Sequence, residues 1–189
     1  IQGELELRRN ACKPGDIILT TGIHGLSKLG FLIQNKINFD NEFSLNERLI
    51  IKSIEHFCRP KVYPNFLNNL LKTRSNKKIR RIGCTDSSDG LFQALQDLAI
   101  ASNCKAIINY EKIPKDKDWP KGDKWDEYYF FGGEDYELVF SLPKKWAKNL
   151  SKLDKDINEI GFFADGEPSI EFKDNNKNKL LNNTPFKHF

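Results

Sequence analysis

Thr85-Asp86-Ser87-Ser88-Asp89-Gly90-Leu91 is the stretch on which the reading of this chain turns. Just upstream, Lys78-Ile79-Arg80-Arg81-Ile82-Gly83-Cys84 predicts a short strand, with Ile79 and Ile82 as its apolar residues. Downstream, Leu91, Phe92, Leu95, Leu98 and Ala99 recur at three- and four-residue steps, the spacing of one helix face. The chain therefore passes from strand to helix through a carboxylate-rich turn, with Ser88 or Asp89 at the helix N-cap. The first turn of a helix leaves backbone N–H groups unpaired and carries partial positive charge, so it attracts phosphate. Two carboxylates beside it repel that phosphate unless a divalent cation lies between them. Mg²⁺ suits the place, because it takes one or two carboxylates together with substrate phosphate oxygens. The blander reading is a plain helix cap with Gly90 relaxing a tight turn, and an isolated pattern of this kind is more often that.

The segments on either side build an alternation of strands and helices. Residues 3–9 predict an edge strand, and Lys13-Pro14-Gly15-Asp16 a turn. Ile17-Ile18-Leu19-Thr20-Thr21 reads as a buried strand, ending in a glycine-flanked bend, Gly22 to Ser27, that leads into a helix through Leu29, Leu32 and Ile33. Residues 35–46 are polar and irregular. A helix over residues 49–57 stops before Pro60, with His56 as a capping or packing residue, and Tyr63-Pro64-Asn65-Phe66 opens another. The basic residues 72–81 read as a solvated loop. Residues 104–110 predict a strand, and residues 114–124 a long, polar, mobile loop of the kind that lies near sites.

A second informative stretch follows, Gly132-Gly133-Glu134-Asp135-Tyr136-Glu137-Leu138. Here a double glycine and two adjacent acids open a strand in which residues 136, 138 and 140 share one face. Neighbouring residues in extended chain face opposite ways, so one acid can point at a ligand while the other ties down the glycine turn. The plain alternative is an ordinary Gly-Gly turn with solvated acids. A helix from Pro143 through Trp146, Leu150 and Leu153 comes next, then residues 157–163 as a last strand, a polar loop over 173–179, and a terminal tail with two aromatics. No repeat, heptad or linker interrupts the pattern. The fold class it predicts is α+β in layers, a mixed β-sheet flanked by helices, with residues 1–189 as one domain.

Composition narrows the setting. At 189 residues, 39% hydrophobic and 30% charged, the chain is long enough for a core and is neither disordered nor membrane-embedded. No apolar run approaches the roughly 18 residues of a membrane span. The polar start predicts no signal peptide, and the absence of methionine predicts a piece of a longer protein. A net charge of +4 welcomes a small polyanion without arguing for nucleic acid. The four cysteines and three histidines are scattered. That excludes C-x-x-C zinc sites and a His-based metal site, and it suits a reducing, cytoplasmic setting.

Taken together, D-x-S-D-G-L at Asp86 to Leu91, G-G-E-D-Y-E-L at Gly132 to Leu138 and K-P-G-D at Lys13 to Asp16, with Gly22 and Gly25 close behind, resemble one family. They look like the C-terminal half of the thiamine-monophosphate kinases, members of the aminoimidazole-ribotide synthetase superfamily. The resemblance runs from about Gly3 to the end. It implies direct in-line transfer of the ATP γ-phosphate to thiamine monophosphate, giving thiamine diphosphate. It further implies Mg²⁺ on Asp86 and Asp89, ATP contacts from Ser88 and Arg9, and thiamine contacts from Glu134 and the terminal aromatic Phe186. It implies a homodimer for the full-length enzyme, and an N-terminal metal-binding and dimerisation domain absent from this chain. A fragment lacking that half is expected to be inactive. The sequence departs from the family pattern at Pro185 and Lys187 around Phe186, at Leu26 where Asp is common, and at Ala11-Cys12. Three other readings stand beside it. One is a sister enzyme of the aminoimidazole-ribotide or selenophosphate synthetase type, and another a non-catalytic phospholigand-binding module. The last is a basic nucleic-acid-binding domain using residues 72–81.

Overall fold

Strand β2 (Asp16–Thr21) is the axis of the molecule, because its two neighbours, β5 (Leu138–Pro143) and β6 (Ile157–Ala164), both pair with it antiparallel. The computed structural model describes residues 4–36 and 45–174. Among them β1 (Glu6–Arg8), β3 (Arg81–Asp86), β4 (Lys105–Ile108) and β7 (Ser169–Phe172) complete one seven-stranded sheet in the order β1-β3-β5-β2-β6-β4-β7. The sheet is mixed: β1 runs parallel to β3 and β4 to β7, and the remaining pairs are antiparallel.

Alternation along the central strands feeds two cores. Ile18 and Val139 face one side, where α1 (Leu26–Gln34), α4 (Leu91–Ser102) and α5 (Asp123–Phe131) supply Leu29, Leu95 and Phe130. Their neighbours Leu19 and Phe140 face the other side, against α3 (Phe66–Thr73) and α6 (Lys144–Leu153) through Leu70 and Trp146. Helix α2 (Glu47–Cys58) adds Leu49 to the first core beside α1. The predicted α+β layering with helices on a mixed sheet is what the chain forms.

Several elements depart from the sequence reading. Residues 157–163 are not the last strand: β7 follows, a four-residue edge strand whose Ile170 and Phe172 close the first core. Residues 114–124 are pinned rather than loose. Asp116 is buried and held by Arg48 and by Lys52 Nζ at 2.6 Å, while Trp119 packs edge-on against Trp125 of α5. Helix α5 itself has no single apolar stripe, because it is enclosed on several sides and buries Trp125, Asp126, Tyr129, Phe130 and Phe131. The basic run is likewise tethered, Arg74 to the Glu4 carbonyl and Arg81 to Asp16. Among the described residues no helix is long and apolar enough to cross a membrane.

Candidate functional site

Strand pairing alone brings the motifs together. Because β3 and β5 are antiparallel neighbours with Asp86 opposite Leu138, the turn after β3 meets the loop before β5 at one end of the sheet. Strand β2 ends there too, placing the Gly22–Gly25 bend alongside. β1 runs parallel to β3, so Arg9 leaves it at the same end. The Lys13–Asp16 turn lies at the opposite end, so this motif serves the fold. There Asp16 accepts the Lys13 N–H at 3.0 Å and two Arg81 N–H groups at 2.6 and 3.2 Å.

The two acidic motifs are bonded to each other. Ser87 N–H donates to the Glu137 carbonyl at 2.9 Å and Glu137 N–H to the Ser87 hydroxyl at 3.1 Å. Glu134 N–H donates to the Ser88 carbonyl at 2.8 Å. Gly90 adopts φ +94°, and a Cβ there would stand 3.0 Å from the Phe131 and Gly132 carbonyl oxygens, so the turn favours glycine where it meets the second motif. Gly90, rather than Ser88 or Asp89, is the N-cap of α4, and no side chain caps that end. Freed from capping, Ser88 donates its hydroxyl to Asp86 Oδ1 at 3.2 Å. Asp86 is exposed, Ser88 and Asp89 half-buried.

Arg9 stands beside this turn, its Nε donating to Thr85 Oγ1 at 3.2 Å and its Nη1 lying 3.3 Å from Asp97 Oδ2. On the other side Glu134 accepts from the Tyr136 hydroxyl at 2.7 Å. That bond, with the charges of Glu134, Asp86 and Asp89 nearby, raises the Tyr136 phenol above its ordinary pKa. Glu134 and Tyr136 both hold left-handed backbone, φ 69° and 54°, a costly conformation for residues with side chains. A groove of about 540 Å³ opens beside Tyr136, lined by Val62, Tyr63, Phe66, Leu67 and Leu138. Phe186 lies outside the described residues. The structure thus brings Arg9, Asp86, Ser88, Asp89 and Glu134 to one rim.

Beneath the rim lies a polar layer that the sequence reading missed. Asp135 is fully buried and accepts the N–H groups of Gly25 at 2.6 Å and Ser27 at 2.9 Å. It does tie down a glycine turn, but the one after β2 rather than its own. Burial pushes its carboxyl up to about 6, against the pull of those two bonds. Glu137 accepts from Thr21 Oγ1 at 2.5 Å. Burial raises it too, but the neighbouring His56 imidazole and the bond from Thr21 outweigh that and leave it below its ordinary value. His56 bridges the layer, with Nδ1 3.0 Å from Ser27 Oγ and 3.7 Å from Asp135, and Nε2 3.6 Å from Glu137. Buried His24, bonded to Thr20 Oγ1 at 2.7 Å, is pushed down to about 4 by desolvation. Spacing gave no sign of these contacts, since Thr21 and Glu137 are 116 residues apart.

Fold and site define a mixed-sheet α+β domain with a polar loop cluster at one end of its central strands. Within that class, the model of the AIR synthase related protein C-terminal domain matches residues 13–171, and the chain belongs to this family. A thiamine-monophosphate kinase of Prochlorococcus marinus is 34% identical over 188 residues, covering all of this chain and 56% of the relative. The crystal structure of thiamine-monophosphate kinase from Stenotrophomonas maltophilia superposes with a TM-score of 0.71 at 21% identity, over 88% of this chain and 52% of that one. AaThiL complexed with AMPPCP and TMP is similar at a TM-score of 0.66 and 26% identity, over 87% of this chain and 49% of that one. The chain spans about half the length of the curated relatives it matches.

Proposed function

We propose that this chain is the C-terminal half of an enzyme that transfers the γ-phosphate of ATP to thiamine monophosphate, forming thiamine diphosphate. The observation that supports it most is the direct bonding of the two motif loops, which sets Asp86, Ser88 and Asp89 beside Glu134. Curated relatives of the chain are thiamine-monophosphate kinases, and one similar solved structure is AaThiL complexed with AMPPCP and TMP.

The donor set suits Mg²⁺ shared with a phosphate chain. It is all oxygen, with the Asp86 carboxylate exposed at the rim and Asp89 half-buried beside it. No three His, Cys, Asp or Glu among the described residues form a cage for a resident ion. Asp86 and Asp89 are its proposed ligands, and the ion supplies neutralisation of phosphate charge when bound. Ser88 and Arg9 hold the nucleotide. Glu134 and the apolar groove beside Tyr136 hold the thiamine part, an acid next to aromatic walls for a cationic heteroaromatic. The reading extends to Phe186 as a further ring contact. Phosphoryl transfer needs positioning and charge compensation more than covalent chemistry, so the proposed step is direct and in line, without a phosphoenzyme. The whole enzyme is proposed to be a cytoplasmic homodimer whose other half supplies further metal-binding acids.

The test is thiamine diphosphate formation by the full-length protein with Mg-ATP and thiamine monophosphate. Asp89→Asn is expected to lower kcat by at least about 100-fold with its circular dichroism unchanged. A folded full-length protein that forms no thiamine diphosphate rules the substrate out.

A further inference from the structure

We infer that Ser87 is a positioning residue whose two bonds to Glu137 couple the nucleotide and thiamine subsites, so that each ligand tightens binding of the other. The inference rests on the kinase reading above. Ser87 itself touches neither ligand region: it is fully buried, between Asp86 and Ser88 on the rim. Its N–H and hydroxyl grip the Glu137 carbonyl and N–H, and the adjacent Ser88 carbonyl accepts Glu134 N–H. Three hydrogen bonds therefore join stretches of only a few residues, and the outward-facing members, Ser88 and Glu134, belong to different subsites.

The joint is also fastened from below. The Thr21 hydroxyl donates to the Glu137 carboxylate at 2.5 Å and accepts Leu138 N–H at 2.8 Å, fixing the start of β5. A Cβ on Gly22 would overlap the same carboxylate, so the bend after β2 closes directly on it. Because the Asp86–Gly90 turn and the Glu134 loop are bonded to one another around a fixed Glu137, ordering of the turn about a nucleotide is inferred to order Glu134 as well. Linkage makes the effect reciprocal, and couplings of this kind run at about 5- to 150-fold in affinity.

The test uses the full-length protein with Mg²⁺, a non-hydrolysable ATP analogue and thiamine monophosphate. Calorimetry gives the Kd of each ligand alone and in the presence of the other. Wild type is expected to bind each at least about fivefold more tightly when the other is present. Ser87→Ala removes the hydroxyl bond to Glu137 N–H and keeps the two backbone bonds, and it is expected to lower that ratio at least about twofold. Thr21→Val should lower the ratio in the same way and Thr21→Ser should restore it, and this pair decides the matter if Ser87→Ala does not fold. A Ser87→Ala protein with weaker binding but an unchanged ratio overturns the inference and leaves Ser87 a merely structural group. Wild type that binds both ligands independently overturns it too, while sparing the kinase reading. Wild type that binds neither overturns the kinase reading and this inference together.

Discussion

The two ends of the sheet each bury an aspartate, and they neutralise it differently. At the far end Asp16 meets the Arg81 guanidinium through two N–H groups, with the Lys13 N–H as a third donor. At the site end Asp135 receives the backbone N–H groups of Gly25 and Ser27, with an imidazole 3.7 Å away in place of a guanidinium. At the far end a full guanidinium charge faces the carboxylate. Dipoles and a histidine hold the other carboxylate in shape but leave it near the edge of ionisation, about 6. The first arrangement suits a turn that only has to close. The second suits loops that must keep left-handed backbone at Glu134 and Tyr136.

The comparison breaks most readily at the far end. Arg81→Met leaves Asp16 buried without its counter-charge, and the expected loss is about 3–5 kcal/mol of stability in urea denaturation. A loss below about 1 kcal/mol would mean that backbone donors suffice at both ends.

A smaller effect concerns pH. Asp135 ionises near 6 in the folded chain instead of its ordinary 3.8, so the native state holds the extra proton between those values. Its contribution to stability is complete below about 3.8 and is lost as pH rises to about 6. His24 titrates near 4 instead of 6.5, so its contribution is present above 6.5 and is lost as pH falls to about 4. The two slopes oppose each other from about pH 4 to 6. Asp135→Asn is expected to leave stability rising with pH across that window, and His24→Gln to leave it falling, each by about 2 kcal/mol. Urea midpoints at three pH values check this, and slopes of one sign in both variants would refute it.

The smallest effect sharpens the rim. Tyr136→Phe removes the exposed hydroxyl bond to Glu134. It is expected to cost less than about 1 kcal/mol of stability and to raise KM for thiamine monophosphate by no more than about threefold. A larger KM change would make the tyrosine a binding group in its own right.

The rim was legible in the sequence and the layer beneath it was not. Asp86, Ser88, Asp89 and Glu134 stand in short motifs flanked by glycine, and local spacing placed them on loops beside a strand and a helix. The central strands and the amphipathic helices α4 and α6 could be read from periodicity for the same reason. Helix α5 escaped because burial on several sides erases the periodic signal, and β7 because four residues after a Gly-Glu-Pro turn give little alternation to read. The contacts of Ser87, Asp135, Glu137 and His56 escaped for a different reason. Their partners are set by strand order, and that only tertiary structure reveals. The N-cap assignment failed likewise: Gly90 takes that position at φ +94°, packed against the Gly132 loop, which the local Ser-Ser-Asp pattern does not show.

Strand order also dictates when the binding rim can exist. Ser87 and Glu137 are separated by 50 residues and Thr21 and Glu137 by 116, so the rim belongs to the slow, non-local part of the folding reaction. Chain length itself adds little, since each doubling of a loop costs only about 0.6 kcal/mol in closure entropy. Order of synthesis matters more. A nascent chain displays Asp86 and Ser88 with nothing opposite them until Glu134 to Leu138 has left the ribosome, so the rim assembles only once the last third of the chain has begun to emerge.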